Sequence, residues 1–352
     1  MSRPRVLTQI RLQPEAYAVL EPHAEIVTSP DSAADVWYTD ASRSDAVLVS
    51  GLTYMTGPVM DRIGLRLQTI ARAGIGIDRI DLEAATERGI LVVNTPDGPT
   101  ESTAEHAVAL ILNLAKMVGL TDRILRSGQG FPPYGSLPAG LELRGAVLGL
   151  VGLGRIGSRV AEIARVLGMR VLAFDPFVSA ARAEELGVIL APALAELLEV
   201  ADVVSIHCPS IPETYHLIDA ATLALMRPGS YLVNVSRGPI IDEAALAAAL
   251  RSGHLAGAGL DVFDPEPPAA DNPLFALPNT ICTTHVGSYT NACLVRMQVM
   301  AAEQIVYALT GQRPPDLVNP GVWDRRQSVC SKYPAHWEVN KHQKQWYVWP
   351  YV

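Results

Sequence analysis

Arg237, Glu266 and His285 are of the types needed to hold a carboxylate and move a proton at a neighbouring hydroxyl. Histidine titrates near neutrality, so His285 can take a hydroxyl proton in one direction and return it in the other. Glu266, hydrogen-bonded to the opposite ring nitrogen, would fix the tautomer and favour the transient imidazolium. Arg237 offers a planar fork to a carboxylate and a donor to an adjacent oxygen. That set suits a 2-hydroxy or 2-keto acid, provided that a bound cofactor exchanges the hydride at C2. The three side chains follow runs that read as β-strands, in NVSRGP (234–239), LDVFDPEP (260–267) and TTHVGS (283–288). In an open parallel sheet, ligands bind beyond the carboxyl ends of the strands, so the three are expected to converge on one crevice.

The element that would bring the cofactor there is the stretch 146–175, AVLGLVGLGRIGSRVAEIARVLGMRVLAFD. An apolar strand (146–151) runs into Gly152, Gly154 and Gly157, then an amphipathic helix, then a second strand ending at Asp175. Gly152 permits the tight turn, Gly154 lets the backbone approach a pyrophosphate, and Gly157 lets helix and strand pack closely. The helix start offers free N–H groups and a positive dipole to phosphates. Asp175, 18 residues beyond the last glycine, can accept hydrogen bonds from the adenosine ribose hydroxyls. Pro176 and Phe177 follow it in place of an Arg that could hold a 2′-phosphate, which favours NAD over NADP.

With 352 residues, 49% hydrophobic and 18% charged, the chain has the composition of two packed domains. A net charge of −8 gives no basic field for nucleic acid, and no run approaches the 18 apolar residues of a membrane span. A cytoplasmic protein is expected. The four cysteines are scattered, which suggests neither a metal site nor a disulfide framework. Strand-like runs at 5–8, 46–49, 68–71 and 90–93 alternate with helical segments, the pattern of a small parallel α/β unit. A helix over 102–118 is predicted, with Ser102 or Thr103 as its cap and Glu105 in its first turn. Residues 127–140 read as a Gly/Pro loop before a second series, with strands at 188–190, 202–207, 230–235, 256–262 and 280–284 in a six- or seven-stranded sheet. A last long helix is predicted over 290–310.

Further matching segments are ARAGIGIDRIDLEAATERGILVVNTP (71–96), STAEHAVALIL (102–112), GLGRIGSRVA (152–161), NVSRGPIIDEAALAAAL (234–250) and GAGLDVFDPEPP (257–268). Together they make the chain resemble the D-isomer-specific 2-hydroxyacid dehydrogenase family, most of all its phosphoglycerate and hydroxypyruvate/glyoxylate branches. The resemblance implies an α/β protein of two doubly wound parallel-sheet domains. A Rossmann NAD-binding domain (102–288) would be inserted in a smaller flavodoxin-like substrate domain (1–101 and 289–325), the two closing over the crevice. It implies Arg237, Glu266 and His285 as the catalytic set. Thr103, Arg155, Ile156, Asp175 and Asp261 would line the NAD, with His207, Cys208, Pro209, Val235, Ser236 and Gly287 in the same pocket. Read from position alone, Thr103 is a helix cap, Arg155 a surface charge, Ile156 core and Asp261 a strand-end turn. Ile75 and Gly76 would offer backbone donors to the substrate carboxylate, in a loop that Gly74 keeps open. A homodimer paired through the cofactor domain is also implied.

The chain departs from the phosphoglycerate branch at Ser50, where that branch carries an Arg for the substrate phosphate, while Arg72 is retained nearby. No serine-binding regulatory domain is expected after residue 320. Residues 326–352 match nothing in the family and hold three of the five tryptophans, Trp337, Trp346 and Trp349, as an unordered tail or an arm for a partner subunit. A second reading, an NAD(H)-sensing interaction protein like the C-terminal-binding corepressors, shares the same Arg, Glu and His. Formate dehydrogenases carry Gln where Glu266 stands.

Overall fold

The computed structural model describes residues 3–29, 34–51, 53–133 and 135–326; the aromatic stretch 327–352 lies outside the described residues. The chain divides into two compact units, one of residues 99–293 and one formed by the segments on either side.

In the outer unit, β1 (Arg5–Thr8), β2 (Glu25–Thr28), β3 (Ala46–Val49), β4 (Thr69–Arg72) and β5 (Leu91–Val93) form a parallel sheet in the order β2-β1-β3-β4-β5. That is the flavodoxin-like order, whose ligand crevice lies where the winding reverses, between β1 and β3. Strands covered by helices on both faces must be apolar throughout, and β3 and β5 are wholly buried. β2 is a strand that sequence reading did not anticipate. It is a four-residue edge strand with exposed Glu25 and Thr28 at its ends, so no buried apolar run announces it.

In the inserted unit, β6 (Val147–Val151), β7 (Arg170–Phe174), β8 (Ile189–Leu190), β9 (Val203–Ile206), β10 (Ser230–Asn234), β11 (Leu255–Leu260) and β12 (Thr280–Cys282) form a seven-stranded sheet. Its order is β12-β11-β10-β9-β6-β7-β8, and every pairing is parallel. The winding goes from β6 outward to β7 and β8, then crosses back to β9 on the other side of β6, and this reversal is the Rossmann switch point. The strand ends that matter for chemistry are level, since Asn234 pairs with Leu260, and Leu260 with Cys282.

The helix expected over 102–118 runs from Thr100 to Ala115. Its N-cap is Pro99, and no side chain caps it: Thr103 is already inside the helix, with its N–H on the Pro99 carbonyl. Ser102 pairs with the Thr290 hydroxyl at 2.8 Å, and Glu101, in place of Glu105, occupies the first turn. Glu101 also clamps Arg159 of the helix Arg155–Val166, at 2.8 Å, which ties the two helices on one face of the sheet.

The helix Asn291–Leu309 is long and apolar enough to match a membrane span. No uninterrupted apolar run forms it, because Arg296, Gln298, Glu303 and Gln304 punctuate it. Its Cys293, Ala301, Ala302 and Ile305 are buried in protein. Gln298 accepts from the Gln13 N–H and Gln304 from the Asp316 N–H, the bonds of a core helix.

Candidate active site

The glycine turn after β6 separates space made for the fold from space left outside it. Gly152 has φ +99°, and a Cβ there would lie 2.7 Å from the Cys208 amide nitrogen. A Cβ on Gly157 would run into the Gly152 carbonyl oxygen. Gly154 differs, because a Cβ there meets no protein atom within 4 Å and its φ of −72° suits any residue. The fold alone therefore has no need of glycine at 154, whereas a pyrophosphate laid on the helix start does. Arg155 is exposed there, and Ile156 is half-buried against the core. Asp175 closes β7 with one carboxylate oxygen accepting from the Leu153 N–H at 2.8 Å and the other from the Phe177 N–H at 2.9 Å. It is thereby held beside the turn with lone pairs remaining for ribose hydroxyls. These residues fit a dinucleotide.

His207 and Cys208 leave β9 against this turn. The His207 Nε2 lies 2.9 Å from the buried Ser205 hydroxyl, and its Nδ1 is buried without a partner. Burial pushes the imidazole down to about 3, so it is neutral at physiological pH. Burial pushes the Cys208 thiol up to about 11, with Asp175 nearby adding to the effect, so it is no thiolate nucleophile. Pro209 is exposed.

The loops after β9, β10 and β11 hold one another. Asn234 ends β10 by accepting the Ser236 N–H at 3.0 Å and donating to the Arg237 carbonyl at 2.8 Å. Val235 is buried, and the Ser236 hydroxyl donates to the Cys208 carbonyl. Arg237 is half-buried, with one guanidinium nitrogen on the Ser236 carbonyl at 2.7 Å. Gly238 packs its backbone directly on Phe263 and Asp264, two residues before Glu266. Glu243 anchors that loop, accepting from the Asp264 N–H at 2.8 Å and from the Asn272 amide at 2.7 Å.

Glu266 meets His285. The two carboxylate oxygens lie 2.9 and 3.0 Å from the histidine Nδ1. With Nδ1–H donated to the carboxylate, Nε2 is the nitrogen left to exchange a proton. His285 is exposed, and it is one of three non-glycine residues with positive φ among those described.

Behind it, Asp261 is 1% exposed at the end of β11. One oxygen accepts from the Thr283 hydroxyl at 2.6 Å and the Val286 N–H at 2.9 Å, the other from the Gly287 N–H at 2.8 Å. Burial alone would raise this carboxyl. His106, Thr283 and the two amides outweigh it and hold the group below the ordinary aspartate value. Thr103 is buried too, its methyl facing Gly287. His106, Thr283, Asn234 and Glu243 were not singled out from sequence. The one available signal was the three-residue spacing of Thr103 and His106, which puts both on one helix face.

In the outer unit the loop 72–76 has turned its carbonyls inward. Arg72 donates to the carbonyls of Ala73 and Gly76, Thr95 N–H to that of Gly74, and Asn94 to that of Ile75. The Gly74 N–H is taken by the Thr95 hydroxyl at 2.6 Å. Among the described residues, the amides of Ile75 and Gly76 enter none of these bonds, an arrangement suited to an anion. Ser50 lies 3.4 Å from the Thr53 hydroxyl, a neutral pair at the end of β3.

Residues 108–287 match the family model described as D-isomer specific 2-hydroxyacid dehydrogenase, NAD binding domain. The chain is 42% identical over 323 residues to a D-3-phosphoglycerate dehydrogenase of Mycobacterium bovis, covering 91% of this chain and 60% of that one. It therefore spans less than two thirds of the length of such relatives. It is 40% identical over 347 residues to a glyoxylate reductase of Aeropyrum pernix, covering 93% and 99%. The TT0316 protein of Thermus thermophilus is similar in structure, with TM-score 0.81, 38% identity and coverage of 89% and 99%.

Two outcomes are expected. Gly154→Ala should leave the thermal midpoint within about 2 °C of the parent while weakening NADH binding on the order of tenfold, read by fluorescence titration. For His207, the folded value near 3 lies below the ordinary 6.5, so the unfolded chain binds the extra proton first. Stability is then complete above about pH 6.5 and falls as pH drops, by at most about 1.4 kcal/mol per unit. Denaturant unfolding at pH 7 and pH 5 should show this loss, and His207→Asn should remove about 2 kcal/mol of the difference.

Proposed function

The chain belongs to the D-isomer-specific 2-hydroxyacid dehydrogenase family, and from that premise we propose an NAD-dependent oxidoreductase acting on a small D-2-hydroxy or 2-keto acid. The observation that carries this reading is the Glu266–His285 pair, 2.9 Å apart at Nδ1, on loops that leave adjacent strands of the dinucleotide-binding sheet. NAD, when bound, supplies the redox chemistry by accepting or giving the hydride.

The rest falls to the chain. Gly152, Gly154 and Gly157 with the helix start would receive the pyrophosphate, and Asp175 the ribose hydroxyls. The neutral His207, Cys208 and the buried Val235 would wall the pocket without adding charge. His285 Nε2 removes the substrate hydroxyl proton on oxidation and returns it on reduction, while Glu266 steadies the ring through Nδ1 and offsets the imidazolium charge. Arg237 grips the substrate carboxylate. Within the outer unit, the amides of Ile75 and Gly76 would offer backbone donors to an anion.

The reading extends to compartment and assembly. The free thiols Cys208, Cys282 and Cys293 support a reducing, cytoplasmic setting. A homodimer is supported by the helix Val118–Arg126, which buries none of its residues and leaves Val118 and Leu125 half exposed, with Phe131 almost fully exposed nearby.

NADH oxidation should be measured with glyoxylate, hydroxypyruvate, pyruvate and 3-phosphohydroxypyruvate. Turnover of at least one is expected, and His285→Gln should reduce kcat by about 10²-fold or more with NADH affinity near normal. Tight NADH binding with no turnover of any of them would overturn the enzyme reading in favour of a cofactor sensor. Light scattering should give a dimer that Leu125→Asp converts to monomer; an unchanged mass would move the interface elsewhere.

A further inference from the structure

His285 sits at φ +55°, a left-handed conformation uncommon for a residue with a Cβ, though less so for histidine than for most. Glu266 acts on its ring, so something else must hold its backbone. The next two amides, Val286 and Gly287, both donate to the buried Asp261 carboxylate, one to each oxygen. Thr283, two residues before it, donates its hydroxyl to the same carboxylate at 2.6 Å. The turn carrying His285 is thus gripped on both sides by one side chain.

The grip reaches one residue further. His106 Nε2 lies 3.1 Å from the Thr283 hydroxyl and 3.4 Å from the Asp261 oxygen that this hydroxyl also bonds. A hydroxyl has one proton, and the short, charge-assisted bond to Asp261 takes it. Thr283 can then only accept from His106, which sets the His106 tautomer as Nε2–H. His106 Cδ2 and the Thr103 methyl would lie 3.5 and 3.6 Å from a Cβ on Gly287, with the Asp261 carboxylate at 2.9 Å. The turn therefore faces the Thr103 and His106 side chains of one helix face, with space for about one carbon between them.

We infer that His106 is a positioning residue for His285, acting through Thr283 and Asp261, so that a second imidazole–carboxylate pair stands behind the first. This rests on the reading of His285 as the acid/base. It adds that the angle at which His285 presents Nε2 is set from the helix Thr100–Ala115.

The test uses the full chain with His106→Leu, His106→Gln and Thr283→Val. Gln keeps an N–H donor near the position of Nε2; Leu keeps bulk and loses the donor. In steady-state reduction of the best 2-keto acid, His106→Leu should lose about tenfold in kcat, with KM and NADH Kd within twofold, and His106→Gln should recover to within about threefold. Thr283→Val should match His106→Leu, and the double variant should be no worse than either, because the residues act in series. Hydrogen exchange of a peptide spanning 283–288 should speed up in His106→Leu and return toward the parent rate in His106→Gln, a readout that needs no turnover. Unchanged kcat and exchange in His106→Leu would overturn the inference, as would equal losses in Leu and Gln. A parent chain that turns over no 2-keto acid would sink the reading of His285, and the exchange arm would still decide whether His106 holds the turn.

Discussion

The arrangement depends on a carboxylate taken out of water at the end of a strand. Asp261 is 1% exposed, and a charge in that position is tolerable only if donors replace its hydration. The donors are the Thr283 hydroxyl, two consecutive amides and His106, all but the last from the turn that carries His285. The need to satisfy one buried charge therefore dictates the path of the backbone through 283–287, and the path dictates where the imidazole stands. The same economy governs Asn234, whose amide shapes the turn leading to Arg237. In both places a polar side chain at a strand end acts as a template for the loop that follows.

Much of the fold was legible in sequence because parallel strands buried on both faces are rich in apolar residues, and eleven of the twelve strands overlap segments that read as strands. β2 escaped because an edge strand with exposed ends has no such signature. The start of the helix Thr100–Ala115 was read two residues late for a physical reason. Ser102 and Thr103 are residue types that cap helices, but here the chain enters from Pro99, so their side chains are spent elsewhere, on Thr290 and beside Gly287. The Gly152–Gly157 turn, by contrast, is a local motif whose chemistry and spacing are set within one strand–turn–helix unit, and a reader of sequence meets all of it at once.

The supporting residues could not be read in the same way. His106 and Thr283 are 177 positions apart, and neither type is informative alone. A histidine on an apolar helix face is more often core filler than anything else, and a threonine at a strand end is ordinary. Only the fold makes them neighbours, and only the valence of the hydroxyl between them says which donates. Glu243 is similar, a first-turn helix residue whose acceptors serve the loop around Glu266. Residues that touch ligands advertise themselves through special types in special motifs, while those that aim them do not.

His207 adds a quieter constraint on the pocket wall. An imidazole that will not ionise until far into acid keeps the ground beneath the glycine turn electrically silent across the range a cell inhabits. The potential at that turn then comes from oriented peptide groups, the Arg155 guanidinium at the helix start and the Asp175 carboxylate, with nothing added by His207. This imidazole therefore gives swings in acidity no handle on that spot.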